Sequence, residues 1–193
     1  MIDYSRLKER VLGLLEKQLP QELHYHGMHH TLDVLNVCEE YISRDNISES
    51  EANLLRTGAL FHDFGFTRSF ENHEQNGARL VEKILPDFGF GTKDIEVVQG
   101  LIMATRIPQT PATQLERIIC DADLDYLGRD DYYPISETLY EELTALEKIE
   151  NRQQWVELQI RFLEAHEYHT DFAREKRQSE KEKRISELKA GAS

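Results

Sequence analysis

Apolar residues recur along the chain with the spacing of helices rather than with the alternation of strands. In the first segment, Leu7, Val11 and Leu15 fall on one face of a helix predicted over residues 4–19, which Pro20 ends. The same spacing predicts further helices, and no segment alternates apolar and polar residues as a half-buried strand would. The ranges of these further predicted helices are 30–43, 48–63, 71–85, 92–105, 113–127, 135–148 and 153 to the tail. The pattern therefore predicts an all-α chain, a compact bundle of about eight helices joined by short loops.

The length of the chain fits a single domain. Its 193 residues lie within the usual range for one domain with its own core. No internal repeat and no linker interrupts the sequence, so we expect one domain over 1–193, with a core at about 25–170. The remaining 171–193 segment predicts a charged C-terminal helix whose basic and acidic side chains pair in solvent. The alternative for this segment is phosphate contact by Arg174, Lys176 or Arg177.

Acidic residues outnumber basic ones, which bears on the partners that the chain can have. With 36 acidic and 23 basic residues the net charge is −13, whereas binding to a nucleic-acid polymer needs clustered cations. The N-terminus lacks the pattern of a signal peptide, and no apolar run reaches the ~18 residues that cross a bilayer. Cys38 and Cys120 cannot build a disulfide framework. We therefore expect a cytoplasmic protein without a nucleic-acid or membrane partner.

Three short segments place polar side chains on the apolar faces of predicted helices. His30 lies on the apolar stripe of its helix, and His62 ends the stripe of the next helix. Asp123 shares a face with apolar residues three and four positions away. An isolated histidine on such a face is usually a hydrogen-bonded core residue, but a buried aspartate needs a cation or strong donors. The segments are 25–34, 62–65 and 120–128.

A divalent metal would satisfy these inward side chains together. The predicted ligands are His30, His62, Asp63 and Asp123. Two imidazoles and two carboxylates suit Mn²⁺, Mg²⁺, Fe²⁺, Ni²⁺ or Co²⁺ in an octahedral site with open positions. A structural zinc site would be closed by its four ligands and uses cysteine more often. The pattern therefore predicts one catalytic divalent metal, with two metals as the alternative.

The order and type of these residues resemble a known family. His30, the His62-Asp63 pair and a later aspartate are similar to the H…HD…D signature of the HD-domain metal-dependent phosphohydrolase superfamily. The resemblance spans about residues 25–130. It implies an all-α fold and the hydrolysis of phosphate esters, often those of nucleotides. It also implies that water is activated at the metal, with Asp63 holding that water and able to deprotonate it.

A narrower resemblance covers the segment around His26. Cyclic-nucleotide phosphodiesterases carry Y-H-N-x-x-H-A-x-D-V, and this chain departs from the pattern at Gly27 and Thr31. In that group the first histidine protonates the leaving oxygen, so the resemblance implies His26 as a general acid and His30 as a metal ligand. The branch that cleaves cyclic dinucleotides has a lysine where this chain has Phe66. The residues that match the phosphodiesterase pattern are Tyr25, His26, His30, Asp33 and Val34.

Four further residues are secondary candidates for the site. Asp121 is the alternative to Asp123 as the carboxylate ligand. Its helical face is mixed and Asp125 follows at i+4, which makes Asp121 the poorer candidate for burial. His73 follows the His-Asp pair as a second metal ligand or a supporting residue does in the superfamily. The candidate substrate contacts are Tyr25 and Arg106.

The function that follows is that of a metal-dependent phosphohydrolase, either a phosphatase or a phosphodiesterase. We expect its partner to be a small-molecule phosphoester, such as a nucleotide or a cyclic nucleotide. Two alternatives belong to other classes: a regulatory helical module without activity, and a di-iron oxygenase on the same fold. The presence of all four predicted ligands argues against the regulatory module. The oxygenase would need further histidine ligands, which His73 could help to provide.

Overall fold

The fold is known from a computed structural model, which describes residues 2–191. Within these residues all regular structure is helical, and the sequence prediction of an all-α fold is confirmed. None of the helices there is both long enough and apolar enough to cross a membrane. Short 3₁₀ turns lie at Phe64–Thr67, Leu85–Phe88 and Asp125–Gly128. The α-helices are α1 Tyr4–Gln18, α2 Met28–Arg44, α3 Glu49–Phe61, α4 His73–Ile84, α5 Thr92–Ala104, α6 Gln114–Asp123, α7 Tyr132–Ala145, α8 Arg152–Ala165 and α9 Asp171–Gly191.

The observed helices begin and end within a few residues of the predicted ones, with one exception near the C-terminus. The sequence predicted one continuous helix from residue 153 to the tail, but α8 ends at Ala165 and His166 has an extended backbone with ψ 134°. The side chain of Lys181, from α9, donates to the carbonyl oxygen of His166 at 2.5 Å. This bond satisfies an acceptor that the end of a helix leaves without a partner. Because it joins residues 15 positions apart, helix periodicity could not reveal it.

Contacts between residues divide the chain into two compact units. The first comprises the described residues of Met1–Pro20 together with His26–Asp123, and it contains α1 to α6. The second comprises Gln21–Tyr25 and the described residues of Leu124–Ser193, with α7 to α9. The expectation of one domain over 1–193 stays a prediction.

Helix α3 lies at the centre of the first unit, in contact with each of the other five helices. Its first residue is preceded by Ser48, whose hydroxyl accepts the Glu51 N–H at 3.3 Å and caps the helix. From Leu54 to Phe61 every residue except Arg56 is buried. A helix that is buried on all sides belongs in the interior of a fold. The residues that directly follow α3 are therefore also placed inside the unit.

A glycine just after α3 allows α4 to pack closely against the 3₁₀ turn at Phe64–Thr67. A Cβ atom at Gly65 would overlap the carbonyl oxygen of His73 and would lie 2.8 Å from the amide nitrogen of Gly77. Gly65 is thus required by close approach of the two backbones. The approach brings the first turn of α4, which begins at His73, beside the residues that end α3.

The second unit has its own apolar core and a set of buried charges. Arg177 on α9 donates to both carboxylate oxygens of Asp125, at 2.8 and 2.9 Å. Arg177 is partly buried, and Lys181 and Arg184 on the same helix are buried. The expected pairing along the helix is present for Arg184, which pairs with Glu180 and Glu187. The expected solvent exposure does not hold for Lys181 and Arg184, because α9 packs against α8 and the 3₁₀ turn before α7. The core side chains are Tyr25, Leu124, Tyr126, Leu127, Tyr132 and Leu163.

We predict opposite effects of a glycine-to-alanine change at two positions of the first unit. Gly65→Ala should lower the free energy of unfolding by about 1–3 kcal/mol, because the added Cβ overlaps the backbone of α4. Gly13→Ala, inside α1, should raise it by about 1 kcal/mol, because a Cβ there meets nothing within 4 Å and alanine favours the helix. Urea denaturation followed by circular dichroism measures both changes. A Gly65→Ala protein as stable as the wild type would contradict the close packing of α4.

Candidate metal centre

Three segments of the first unit bring imidazole and carboxylate side chains together. His30 lies in the first turn of α2, His62 and Asp63 directly follow α3, and Asp123 is the last residue of α6. Because α2 and α6 both contact α3, the ends of these helices present their side chains to one point. His30, His62 and Asp63 are buried, and the Asp123 side chain is 14% exposed.

The side-chain atoms of these residues form a closely spaced group. The Nε2 atoms of His30 and His62 lie 3.2 Å apart. Asp123 Oδ1 lies 3.1 Å from Nε2 of His30 and 3.6 Å from Nε2 of His62. Asp63 Oδ2 lies 3.2 Å from Nε2 of His62 and 3.6 Å from Nε2 of His30. Two nitrogens and two oxygens are therefore gathered within a small volume.

The spacing of this group fits a shared divalent metal. Adjacent ligand atoms that bind one ion at about 2.1 Å are separated by about 3 Å, which is close to the observed distances. The ligand atoms of His30, His62 and Asp123 all lie within 4.8 Å of one another. Asp63 Oδ2 is buried and has no aligned hydrogen-bond donor among residues 2–191. A buried carboxylate oxygen in that state is costly, and a role as metal ligand would remove the cost.

A backbone hydrogen bond fixes which nitrogen of His62 faces the group. His62 Nδ1–H donates to the carbonyl oxygen of Ala59 at 2.8 Å. With its proton on Nδ1, the neutral ring presents the lone pair of Nε2 to the other ligand atoms. Metal-binding histidines are usually oriented by such a bond at the second ring nitrogen. The backbone of α3 therefore orients His62 so that its Nε2 faces the other side-chain atoms of the group.

Without a metal, a proton on His62 balances the charge of the group. Burial lowers the pKa of His62, but the carboxylates of Asp63 and Asp123 more than offset this and raise it to about 9. Burial raises the pKa of Asp63, but the imidazoles of His62, His26 and His30 outweigh burial and hold that pKa well below its usual range. The metal-free centre at neutral pH is therefore an ion pair between the His62 imidazolium and the Asp63 carboxylate.

Further side chains lie beside Asp63 and pack on the ring of Phe66. The His73 ring stacks on Phe66 with centroids 4.0 Å apart and an interplanar angle of 15°. The centroid of His26 lies 4.6 Å from that of Phe66 and 6.3 Å from that of His73. His73 Nε2 lies 3.5 Å from Asp63 Oδ1 and also 3.5 Å from Glu74 Oε1. One buried phenyl ring thus supports two imidazoles next to the ligand group, a role that the sequence did not indicate.

The model of the HD domain family matches residues 27–125, just over half of the chain. The match contains His30, the His62-Asp63 pair and Asp123. The chain belongs to the HD domain family. HD domains bind divalent metals, and most members of the family are metal-dependent hydrolases. Searches among curated proteins and among solved structures each returned no match.

The HD-domain match begins after the phosphodiesterase-like residues Tyr25 and His26, so the likeness of that segment to phosphodiesterases stays a resemblance. Tyr25 belongs to the second unit, where it is buried and its ring lies 5.6 Å from that of Tyr126. Arg106 is exposed in the turn after α5, and its guanidinium forms no ion pair with any residue that the structure describes. The roles of Tyr25 and Arg106 as substrate contacts stay predictions.

Both candidate aspartates of this HD domain lie near the end of α6. Asp123 joins the two histidines, and Asp121 is the more deeply buried of the pair, with 1% exposed. The expectation that Asp121 is the poorer candidate for burial is therefore wrong. The reason is that α6 ends at Asp123, so Asp125 is not on the same helix and pairs with Arg177 instead. Which aspartate binds a metal stays a prediction.

We predict that this HD domain binds metal more tightly as the pH rises. A metal must displace the proton that His62 carries in the metal-free centre, where its pKa is about 9. Between about pH 6 and about pH 8 the affinity for Mn²⁺ should therefore rise about tenfold per pH unit. Isothermal titration in buffers of different ionisation enthalpy measures both the affinity and the protons released.

The metal-free protein should show the opposite dependence in its stability. A histidine whose pKa is raised in the folded state stabilises that state below its unfolded pKa of 6.5, and the contribution is lost as the pH rises through about 9. With chelator present, the free energy of unfolding should therefore fall between these two pH values. An Mn²⁺ affinity that does not change with pH would show that His62 carries no proton in the metal-free centre.

Proposed function

We propose that this protein is a divalent-metal-dependent phosphohydrolase that cleaves a small phosphoester, such as a nucleotide or a cyclic nucleotide. The observation that carries the proposal is the group of His30, His62 and Asp123, with the unsatisfied oxygen of Asp63 beside it. Two imidazoles and two carboxylates suit Mn²⁺, Mg²⁺, Fe²⁺, Co²⁺ or Ni²⁺, and four protein ligands leave octahedral positions open. Open positions are typical of a catalytic site rather than of a structural one.

In this proposal each residue of the group has a defined task. His30, His62, Asp123 and Oδ2 of Asp63 would hold the ion, which when bound would supply Lewis-acid stabilisation of a phosphoryl group and acidify water. The two oxygens of Asp63 have different surroundings, because Oδ2 faces the imidazoles of His30 and His62 while Oδ1 lies 3.5 Å from His73 Nε2. Asp63 can therefore orient the attacking water and accept its proton, with His73 stabilising the carboxylate.

His26 is proposed as the general acid that protonates the leaving oxygen. Its ring centroid lies 6.1 Å from that of His30, and it contributes no ligand atom to the group. It is partly exposed, whereas His30 and His62 are buried, which suits a residue that meets a substrate. Protonation of a leaving group by a positioned imidazole contributes about 10²–10⁴ in rate.

A matched pair of variants at the end of α6 tests the proposal. Asp123→Asn should lose both bound metal and hydrolysis, because it removes a carboxylate from the ligand group. Asp121→Asn is the control, since it makes the same change two positions away at a buried residue of the same helix. Metal content is measured by mass spectrometry after dialysis, and hydrolysis on a panel of phosphomonoesters, nucleotides and cyclic nucleotides. Loss of metal in Asp121→Asn with normal binding in Asp123→Asn would contradict the ligand assignment.

The same preparations separate the proposal from its alternatives. Metal-loaded wild-type protein that hydrolyses nothing on the panel would favour a regulatory HD module. Iron as the bound metal, together with oxygen consumption, would favour a di-iron oxygenase, in which His73 would join the ligands through its position beside Asp63 Oδ1.

We predict that Phe66 affects hydrolysis through His26. Phe66→Leu removes the ring on which His26 packs and should lower kcat for alkyl esters by about tenfold or more, with metal content unchanged. His26→Ala should lower it further, by about 10²–10⁴. Both losses should shrink on p-nitrophenyl esters, whose leaving group needs no proton. Steady-state kinetics on the two kinds of ester measure the difference.

Phe64→Leu is the matched control for this prediction. Phe64 lies in the same 3₁₀ turn as Phe66 and is equally buried, at 2% exposed, but its ring packs on Phe61 with centroids 5.0 Å apart. The substitution therefore removes the same atoms without removing the support of His26. Equal losses in the Phe64 and Phe66 variants, or a Phe66 loss that is the same on both kinds of ester, would contradict a positioning role.

A further inference from the structure

A groove in the first unit carries positive charge in an acidic protein. It has a volume of about 520 Å³ and runs between α1 and the end of α4 with the 3₁₀ turn at Leu85–Phe88. Its basic residues outnumber its two acidic ones, Glu9 and Asp87, although the whole chain has a net charge of −13. None of the four candidate metal ligands lines this groove. These ligands, the metal-ligand group, are His30, His62, Asp63 and Asp123. The basic residues are Arg6, Arg10, Lys17 and Lys83.

The four basic side chains of the groove have no acidic and no hydrogen-bonding partner in the described part of the chain. None of them forms an ion pair there, and none donates a side-chain hydrogen bond. By contrast, Arg56 pairs with Glu39 and Glu49, and Arg177 pairs with Asp125. Glu9 and Asp87 line the same groove, yet none of the four cations forms an ion pair with either of them.

Helix stability explains two of the four cations but leaves the other two unexplained. Lys17 and Lys83 lie in the last turns of α1 and α4, where positive charge complements the helix dipole. Arg6 lies in the first turn of α1, where a cation opposes the dipole, and that turn contains no acidic residue. Arg10 lies in the middle of the helix, where the dipole has little effect. The dipole of α1 therefore accounts for neither Arg6 nor Arg10, and of these two only Arg6 has a ring contact within the described residues, with Phe88.

The floor of the groove is apolar and has free space. Leu14, Ile84 and Phe88 line it between the charged side chains. The guanidinium of Arg6 lies over the Phe88 ring, 4.9 Å from its centroid, and guanidinium planes also stack on flat ligands. At Gly13, inside α1, a Cβ atom would meet nothing within 4 Å, so packing does not require the glycine. A glycine there weakens the helix and leaves the groove open.

From these features we infer that the groove binds a small organic polyanion with a flat apolar body, the chemical class of nucleoside polyphosphates. Arg10, Lys17 and Lys83 would contact the anionic groups, and the flat body would lie against Arg6 and the apolar floor. The volume is that of a small-molecule site. The inference is independent of the proposed hydrolysis, because it involves none of the metal-ligand residues.

The test is isothermal titration of the full chain with ATP, in the presence of chelator so that no metal occupies the HD centre. Wild-type protein should bind ATP, with an affinity that falls between about 50 and about 300 mM salt. Arg10→Gln/Lys83→Gln should bind at least about tenfold more weakly, because two charged donors are lost. Lys8→Gln/Lys93→Gln, the same loss of charge outside the groove, should change the affinity by no more than about twofold.

A second variant and a second probe decide the shape of the ligand. Gly13→Leu keeps every charge but fills the groove, so it should weaken ATP binding without lowering the melting temperature. Tripolyphosphate, which lacks the flat body, should bind more weakly than ATP. Absence of ATP binding by the wild type, an equal loss in the Lys8/Lys93 control, or unchanged binding in Gly13→Leu would each overturn the site. Equal affinity for tripolyphosphate would overturn the assignment of a flat ligand.

Discussion

The first unit is organised around a carboxylate that its own residues do not fully satisfy. Asp63 is buried, with the imidazoles of His30 and His62 near one oxygen and His73 near the other. Burying a charge costs several kcal/mol unless it is paired, which is a large part of the roughly 5–15 kcal/mol that stabilises a domain. The first turn of α2 and the end of α3 must therefore meet, because His30 and His62 reach Asp63 only there. The end of α6 adds a second carboxylate, Asp123, beside the same imidazoles. The packing of these helices and the grouping of the candidate metal-binding side chains thus both meet the need to pair the buried Asp63 carboxylate.

The charge balance of this group explains why a divalent cation suits it. Asp63 and Asp123 together carry two negative charges, and in the metal-free state the proton on His62 supplies one positive charge. A divalent ion that displaces this proton supplies two positive charges in place of one, and so balances both carboxylates. His62 Nδ1–H donates to the carbonyl oxygen of Ala59, so loss of the proton on Nε2 does not require the ring to change its orientation.

The part of the structure that the sequence predicted is the part that depends on one helix at a time. The apolar stripes predicted the helices and placed His30 and His62 on inward faces, and the family resemblance was confirmed. The burial of Asp121 was missed, because the sequence predicted a helix through residue 127, whereas α6 ends at Asp123 and leaves Asp125 outside it. The packing of two imidazoles on Phe66 and the bond from Lys181 to His166 were also missed, since each joins different helices or turns.

The chain meets the need for positive charge in two physically different ways. At the centre, Phe66 stands where the branch that cleaves cyclic dinucleotides has a lysine, and its buried ring supports imidazoles rather than contacting an anion. A fixed ammonium there would lower the pKa of His62 by repulsion and would compete with a metal for Asp63. In the groove of α1, by contrast, the cations are fixed side chains such as Arg10. An exchangeable cation responds to chelation and pH, whereas fixed surface cations respond to ionic strength. In the intact protein, chelation and pH should therefore change binding at the centre, whereas ionic strength should change binding in the groove.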